Sequence, residues 1–100
     1  MCSSDLEIGD RSGEAAILAN LASVYIELDR FPRAIELIQQ SLRTNQEMGA
    51  RVAESRDLLS LGYINYLQNR LPQAAEYFQQ STIIEDGLRT NLAEIGRAHV

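Results

Sequence analysis

Nothing in this sequence restricts its fold more than a self-similarity of period forty. Displaced by forty residues, the chain aligns with itself without a gap, and thirteen of the thirty-five positions from 7 to 41 are identical. Chance would give about two at average protein composition. The identical pairs include Leu18/Leu58, Leu21/Leu61, Arg30/Arg70, Pro32/Pro72, Ala34/Ala74 and Ser41/Ser81, and Ala22/Gly62, Val24/Ile64 and Asp29/Asn69 are conservative pairs. A period of roughly 20–50 residues marks arrays in which each unit is too small to bury its own apolar face and stacks on the next.

Each unit reads as two helices. Ala15, Leu18, Leu21, Ala22, Tyr25 and Leu28 recur at steps of three and four and so share one helix face. Asp29-Arg30 breaks that pattern. Pro32 then favours a new helix, because its missing N–H falls among donors that have no partner in a first turn. This second helix carries Ala34, Ile35, Leu37, Ile38, Ser41 and Leu42, and Gly49 is placed to cap its end. In the next unit, Leu58, Leu61, Gly62 and Ile64 lead to the Asn69-Arg70 turn. Pro72 opens a helix with Ala74, Ala75, Phe78 and Ile83, which Gly87 is expected to close. Leu88, Leu92 and Ile95 would begin a third unit. The small pairs Ala22/Gly62 and Ala34/Ala74 are expected where the two helices of a unit cross closely.

Leu18, Leu21, Ala22, Tyr25, Ala34 and Ile38 resemble the signature of the tetratricopeptide repeat: large, Leu, small, aromatic, then Ala and a large residue in the following helix. The second unit offers Leu58, Leu61, Gly62, Asn65, Ala74 and Phe78. It departs at Asn65, where the family usually has an aromatic that Tyr63 or Tyr66 would replace, and Ser41 and Ser81 stand where the family often has Ala. The unit is longer than the family's usual one. Its junction, Glu7-Ile8-Gly9-Asp10-Arg11-Ser12-Gly13-Glu14-Ala15 and again Glu47 to Ser55, is similar to arrays in bacterial signalling regulators and kinesin-light-chain-like proteins. The resemblance implies an all-α, right-handed α-solenoid of helix-turn-helix repeats. Residues 7–10 would end a preceding repeat, 11–49 and 50–87 would form two full repeats, and 88–93 would start another.

The two ends read differently. Residues 1–6 and 94–100 match the translation of a common sequencing adapter and of its complementary strand, so both are expected to be adapter-derived tails. Cys2 and His99, the single Cys and the single His, fall inside them.

Composition removes most chemistry. There is no Lys, and the net charge of −5 lacks the basic stripe that nucleic acid or an anionic membrane surface requires. No apolar run approaches the roughly 18 residues of a membrane span. Without His or Cys clusters no metal site is expected, and without a credible base or a Gly-rich loop ending in Lys, neither nucleophilic catalysis nor phosphate binding is expected. No cofactor is foreseen. The carboxylates Glu85-Asp86 and the pairs Gln39-Gln40 and Gln79-Gln80 read as solvated surface.

What remains is partner binding. In the resembled family the first helix of each unit lines a concave groove. Carried over position by position, the groove candidates are Asn20, Ser23 and Glu27, beside Ala16 and Ala19, in the first unit. In the second they are Arg56, Ser60, Tyr63 and Tyr66, beside Leu59. The Asn20 amide can both donate to and accept from a peptide backbone. Arg56 can hold a carboxylate with two parallel bonds, and the tyrosines offer an apolar body with a polar tip. The family's clamp for a terminal carboxylate uses Lys and is not expected here. The function expected is a scaffold that binds a protein or peptide, within a larger, bacterial, cytoplasmic signalling protein. The alternative is a non-catalytic repeat arm of an enzyme (a protease, kinase or cyclase) whose catalytic domain lies elsewhere. Two units fall short of the three or so that such arrays usually need, so residues 7–93 alone are expected to be marginally stable or to self-associate through exposed repeat ends.

Overall fold

The computed structural model describes the backbone of residues 3–98 and the side chains of residues 11–90. Cys2 and His99, in the adapter-like ends, and the side chains of Leu92 and Ile95 lie outside the described residues. Four helices follow one another: α1 (Ser3–Glu27), α2 (Phe31–Met48), α3 (Arg51–Leu67) and α4 (Leu71–Ala98). Each packs on the next, α1 on α2, α2 on α3 and α3 on α4. The described residues contain no strand, so the fold is the all-α repeat array expected from the period.

The three turns share one solution. Asp29 (φ 59°), Gly49 (φ 70°) and Asn69 (φ 64°) all adopt the left-handed conformation. At each, the two N–H groups after the helix turn back onto its last carbonyls. Arg30 N–H donates to Tyr25 O at 2.8 Å and Asp29 N–H to Ile26 O at 3.0 Å; Ala50 reaches Asn45 at 2.9 Å and Gly49 reaches Gln46 at 3.2 Å; Arg70 reaches Asn65 at 2.8 Å and Asn69 reaches Tyr66 at 3.0 Å. These bonds satisfy carbonyls that a helix end leaves orphaned. Only Gly takes this conformation at no steric cost, and Asp and Asn are the side chains that tolerate it best. Pro32 and Pro72 occupy the second residue of their helices, one place later than expected, which is still within the first turn, where no N–H partner is lost.

The core is continuous across the unit boundary. Ala22, Ala34, Leu37, Ile38, Leu61 and Ile64 form one buried cluster, with Leu18, Tyr25, Phe31 and Tyr77 packed against it. The small residues are buried as the crossing argument requires. Gly62 lies under the Phe78 ring so closely that an added methyl group would sit 2.6 Å from it. The repeated serines make the same bond in both units. Ser41 Oγ lies 3.2 Å from the Ala15 carbonyl oxygen and Ser81 Oγ 3.1 Å from that of Ser55. Each reaches from the second helix of a unit to the first, a bond that an alanine at the same position cannot make.

Several expectations are corrected. Gly87 does not close a helix; α4 runs through it to Ala98, and Leu88 continues the same helix. Residues 7–10 likewise belong to α1 rather than to the end of an earlier helix. Interior Gly costs a helix only about 1 kcal/mol, and it stops one only where the chain gains by turning, as at Gly49, where α3 docks back on α2. Ile84 is buried and Ile83 is exposed, so α4 turns Ile84 rather than Ile83 inward. The aromatic missing at Asn65 is not supplied by Tyr63 or Tyr66, which are both exposed; Asn65 is itself buried and returns its Nδ2 to Leu61 O at 2.8 Å. The face expected on α1 also divides in two. Ala15, Leu18, Ala22 and Tyr25 are buried or half-buried, whereas Leu21 and Leu28 join Ile17 and Val24 on an exposed outer face.

Two glycine substitutions should separate packing from propensity. Gly62→Ala must push back the Phe78 ring and is expected to cost about 1–3 kcal/mol. Gly13→Ala, in α1 with nothing within 4 Å of the new methyl, should gain up to about 1 kcal/mol. Urea unfolding of both variants measures each sign.

Candidate functional site

Because α2 recedes between α1 and α3, those two helices form the walls of a groove with α2 as its floor. Two depressions make it up. The first, of about 300 Å³, is walled by Ala16, Ala19, Asn20 and Ser23 of α1 and by Ala53, Arg56 and Ser60 of α3, and floored by Ser41, Asn45 and Asp57. The second, of about 440 Å³, continues it between Ile26 and Glu27 on one side and Leu59 and Tyr63 on the other. Ser23 and Ser60 border both, so the two depressions are one trough.

Six of the seven candidate residues lie on this trough. Asn20 and Arg56 belong to the first depression, Glu27 and Tyr63 to the second, and Ser23 and Ser60 to their shared rim. Tyr66 borders neither depression and is 57% exposed. The serines turn their hydroxyls back onto their own helices, Ser23 to Ala19 O at 3.2 Å and Ser60 to Arg56 O at 3.1 Å. That is the usual way for a mid-helix serine to satisfy its donor. The first half of the trough is lined largely by alanine and serine.

The floor was not anticipated from the sequence. Asp57 is 4% exposed, and its Oδ2 lies 2.9 Å from Ser41 Oγ and 2.7 Å from Asn45 Nδ2. The cluster ties α3 of the second unit to α2 of the first. Proton accounting makes it tense. Ser41 has one O–H to give but lies within bonding distance of both Asp57 Oδ2 and Ala15 O. Only a protonated Asp57 lets both contacts be made at once, Asp57 donating to Ser41 and Ser41 to Ala15. Burial pushes the Asp57 carboxyl above its ordinary value, against the hydrogen bonds from Ser41 and Asn45 and the charge of Arg56, which draw it down. The sequence did carry a signal for this site, because the position forty residues before Asp57 is the apolar Ile17.

Among the described residues no group of three His, Cys, Asp or Glu side chains is placed to hold a metal ion. No helix among them is long and apolar enough to cross a membrane. The family model for the tetratricopeptide repeat matches residues 8–82. No curated protein and no solved structure matches the chain.

The Asp57 cluster has a pH signature with a definite sign. A carboxyl whose folded-state pKa is raised contributes stability that is complete below the unfolded-state value, here 3.8, and is lost as the pH rises through the folded-state value. Asp57→Asn keeps a carbonyl oxygen for both donors and cannot ionise. It is expected to melt at a higher temperature than the wild type near pH 7 and to lose that advantage below pH 3.8. Thermal melts across this range check it; a variant less stable at neutral pH would mean that the ionised carboxylate stabilises the fold.

Proposed function

The chain belongs to the tetratricopeptide repeat family, whose repeats generally mediate protein–protein interaction and are typically non-catalytic, and from that premise we propose that it binds an extended segment of a partner protein in the trough between α1 and α3. The observation that carries this reading is which positions repeat and which do not. Most residues facing the core recur at a spacing of forty in identical or similar form, as Leu18/Leu58, Ala22/Gly62, Ala34/Ala74 and Ser41/Ser81 do, although Tyr25/Asn65 and Leu37/Tyr77 differ. Residues facing the trough do not: Ala16/Arg56, Ala19/Leu59, Asn20/Ser60, Ser23/Tyr63 and Glu27/Leu67 all differ in kind. Packing dictates the first set, and a partner of definite chemistry accounts for the second. Asn20 addresses the partner's backbone, and Tyr63 with Leu59 gives its apolar side chains a surface.

The outer face of α1 supports a second part of the reading, that the chain is one stretch of a longer array in a regulatory arm of a signalling protein. Ile17, Leu21, Val24 and Leu28 are exposed there. The residues forty positions on, Asp57, Leu61, Ile64 and Gln68, are buried or half-buried where α3 meets α2. The α1 face is therefore a stacking surface without its cover. In the isolated chain it is expected to leave the fold marginal or to bring copies together through that face. Sedimentation and melting check this: a monomer at every concentration, melting cooperatively above about 65 °C, would contradict it.

The groove itself is tested with peptides selected from a random library on the immobilised chain. Asn20→Ala and Tyr63→Ala are each expected to weaken the selected peptides about tenfold, or about 1.4 kcal/mol, whereas Gln39→Ala and Gln79→Ala on exposed surface should change little. Peptides that bind all four variants alike would place the binding surface elsewhere.

A further inference from the structure

Asp57 is a buried acid that forms no ion pair, although the charge of Arg56 reaches it. None of the ion pairs among the described residues includes it, and its two hydrogen-bond partners are both neutral and both on Oδ2. No described residue donates to Oδ1, and Oδ1 is not among the side-chain atoms sealed from solvent without a partner. Asp57 lines the first depression, so the trough is the side from which this oxygen can be reached. Buried charges are ordinarily paired, and leaving one unpaired inside a fold is costly. The depression above it has a definite character. Methyl groups of Ala15, Ala16, Ala19 and Ala53 share its walls with the polar side chains of Asn20, Ser23, Arg56 and Ser60, over a floor of Ser41, Asn45 and Asp57. A depression with methyl groups on its walls and an acid at its floor is complementary to an aliphatic stem carrying a positive head.

Resting on the reading of the trough as the partner-binding surface, we propose that the first depression receives a basic side chain, lysine or arginine, of the bound segment, with the Asp57 carboxylate as its counter-ion and Asn20 and Asn45 as its neutral hydrogen-bond partners. Charge complementarity favours this occupant: the chain carries a net charge of −5, and Glu27 adds a second acid farther along the same trough. Arg56, at the rim, also borders the depression on the far side of its helix with Glu85, so it has an acidic neighbour to turn to when a cation enters. Pairing with a basic head offsets the burial that otherwise raises the Asp57 pKa.

The probes are Nα-acetyl-lysine amide and Nα-acetyl-arginine amide, titrated into the full chain at millimolar concentrations and followed by the side-chain amide NMR signals of Asn20 and Asn45. Norleucine and glutamate amides serve as controls. Saturable shifts of both signals with the basic probes, and none with norleucine, are expected. Asp57→Asn, which keeps the hydrogen bonds and loses the charge, should weaken the basic probes at least tenfold. Ala16→Leu, at an exposed wall position, should block them without touching the floor, which keeps the test decisive should the floor variant misfold. Basic probes that leave Asn20 and Asn45 unmoved, or that bind Asp57→Asn as well as wild type, overturn the proposal. Glutamate shifting the same signals overturns it too, while leaving the trough intact as a binding surface. Failure of the trough reading would appear separately, as selected peptides indifferent to Asn20 and Tyr63.

Discussion

The contact between α2 and α3 is what makes two helical hairpins into one body. Within a unit, a hairpin of two amphipathic helices leaves one side of each helix bare, and only the neighbouring unit can cover it. Leu61 and Ile64 show the result, at 1% and 0% exposure, while their counterparts Leu21 and Val24 are 42% and 50% exposed for want of the same neighbour. Each fully buried aliphatic side chain is worth about 1.5–3 kcal/mol, so this single junction carries much of the cooperativity available to so short an array. The groove depends on it as well. The trough exists because α1 and α3 are held side by side on α2, and a loosened junction would change its width before it changed any residue in it.

Most of the architecture could be read from the chain because it is written locally. Proline near a helix start, a left-handed residue after a helix end and a three-four spacing of apolar side chains each act within a turn or two, and they reappear forty residues later. The errors arose where the outcome depended on a neighbour. Gly87 looks like Gly49 in sequence, but only Gly49 has a following helix that folds back on the one before it. Ile83 and Ile84 are adjacent, and which of them turns inward is set by where α3 lies. Leu21 and Leu28 have the spacing of a core face and are exposed because α1 is packed on one side.

The candidate site was readable to a similar degree. The positions that line the trough follow from helix geometry once the repeat is placed, which is why Asn20, Ser23, Glu27, Arg56, Ser60 and Tyr63 converge on it. Tyr66 lies one turn beyond its end. Asp57 escaped because it stands on the stacking face, where its counterpart Ile17 suggests nothing but burial. A polar residue that interrupts an otherwise repeated apolar face is the kind of departure a repeat makes visible.

The Ser41–Asn45–Asp57 cluster also bears on how such an array can be assembled and rearranged. Forty residues after Asn45 stands Glu85, and forty before Asp57 stands Ile17. Exchanging the order of the two units would bring a carboxylate against an isoleucine at the junction and strand its charge. The units are near copies in their hairpins but carry different keys on their outer faces, so their sequence along the chain is itself encoded. Duplication can lengthen an array of this kind freely only where the two keys that meet are compatible.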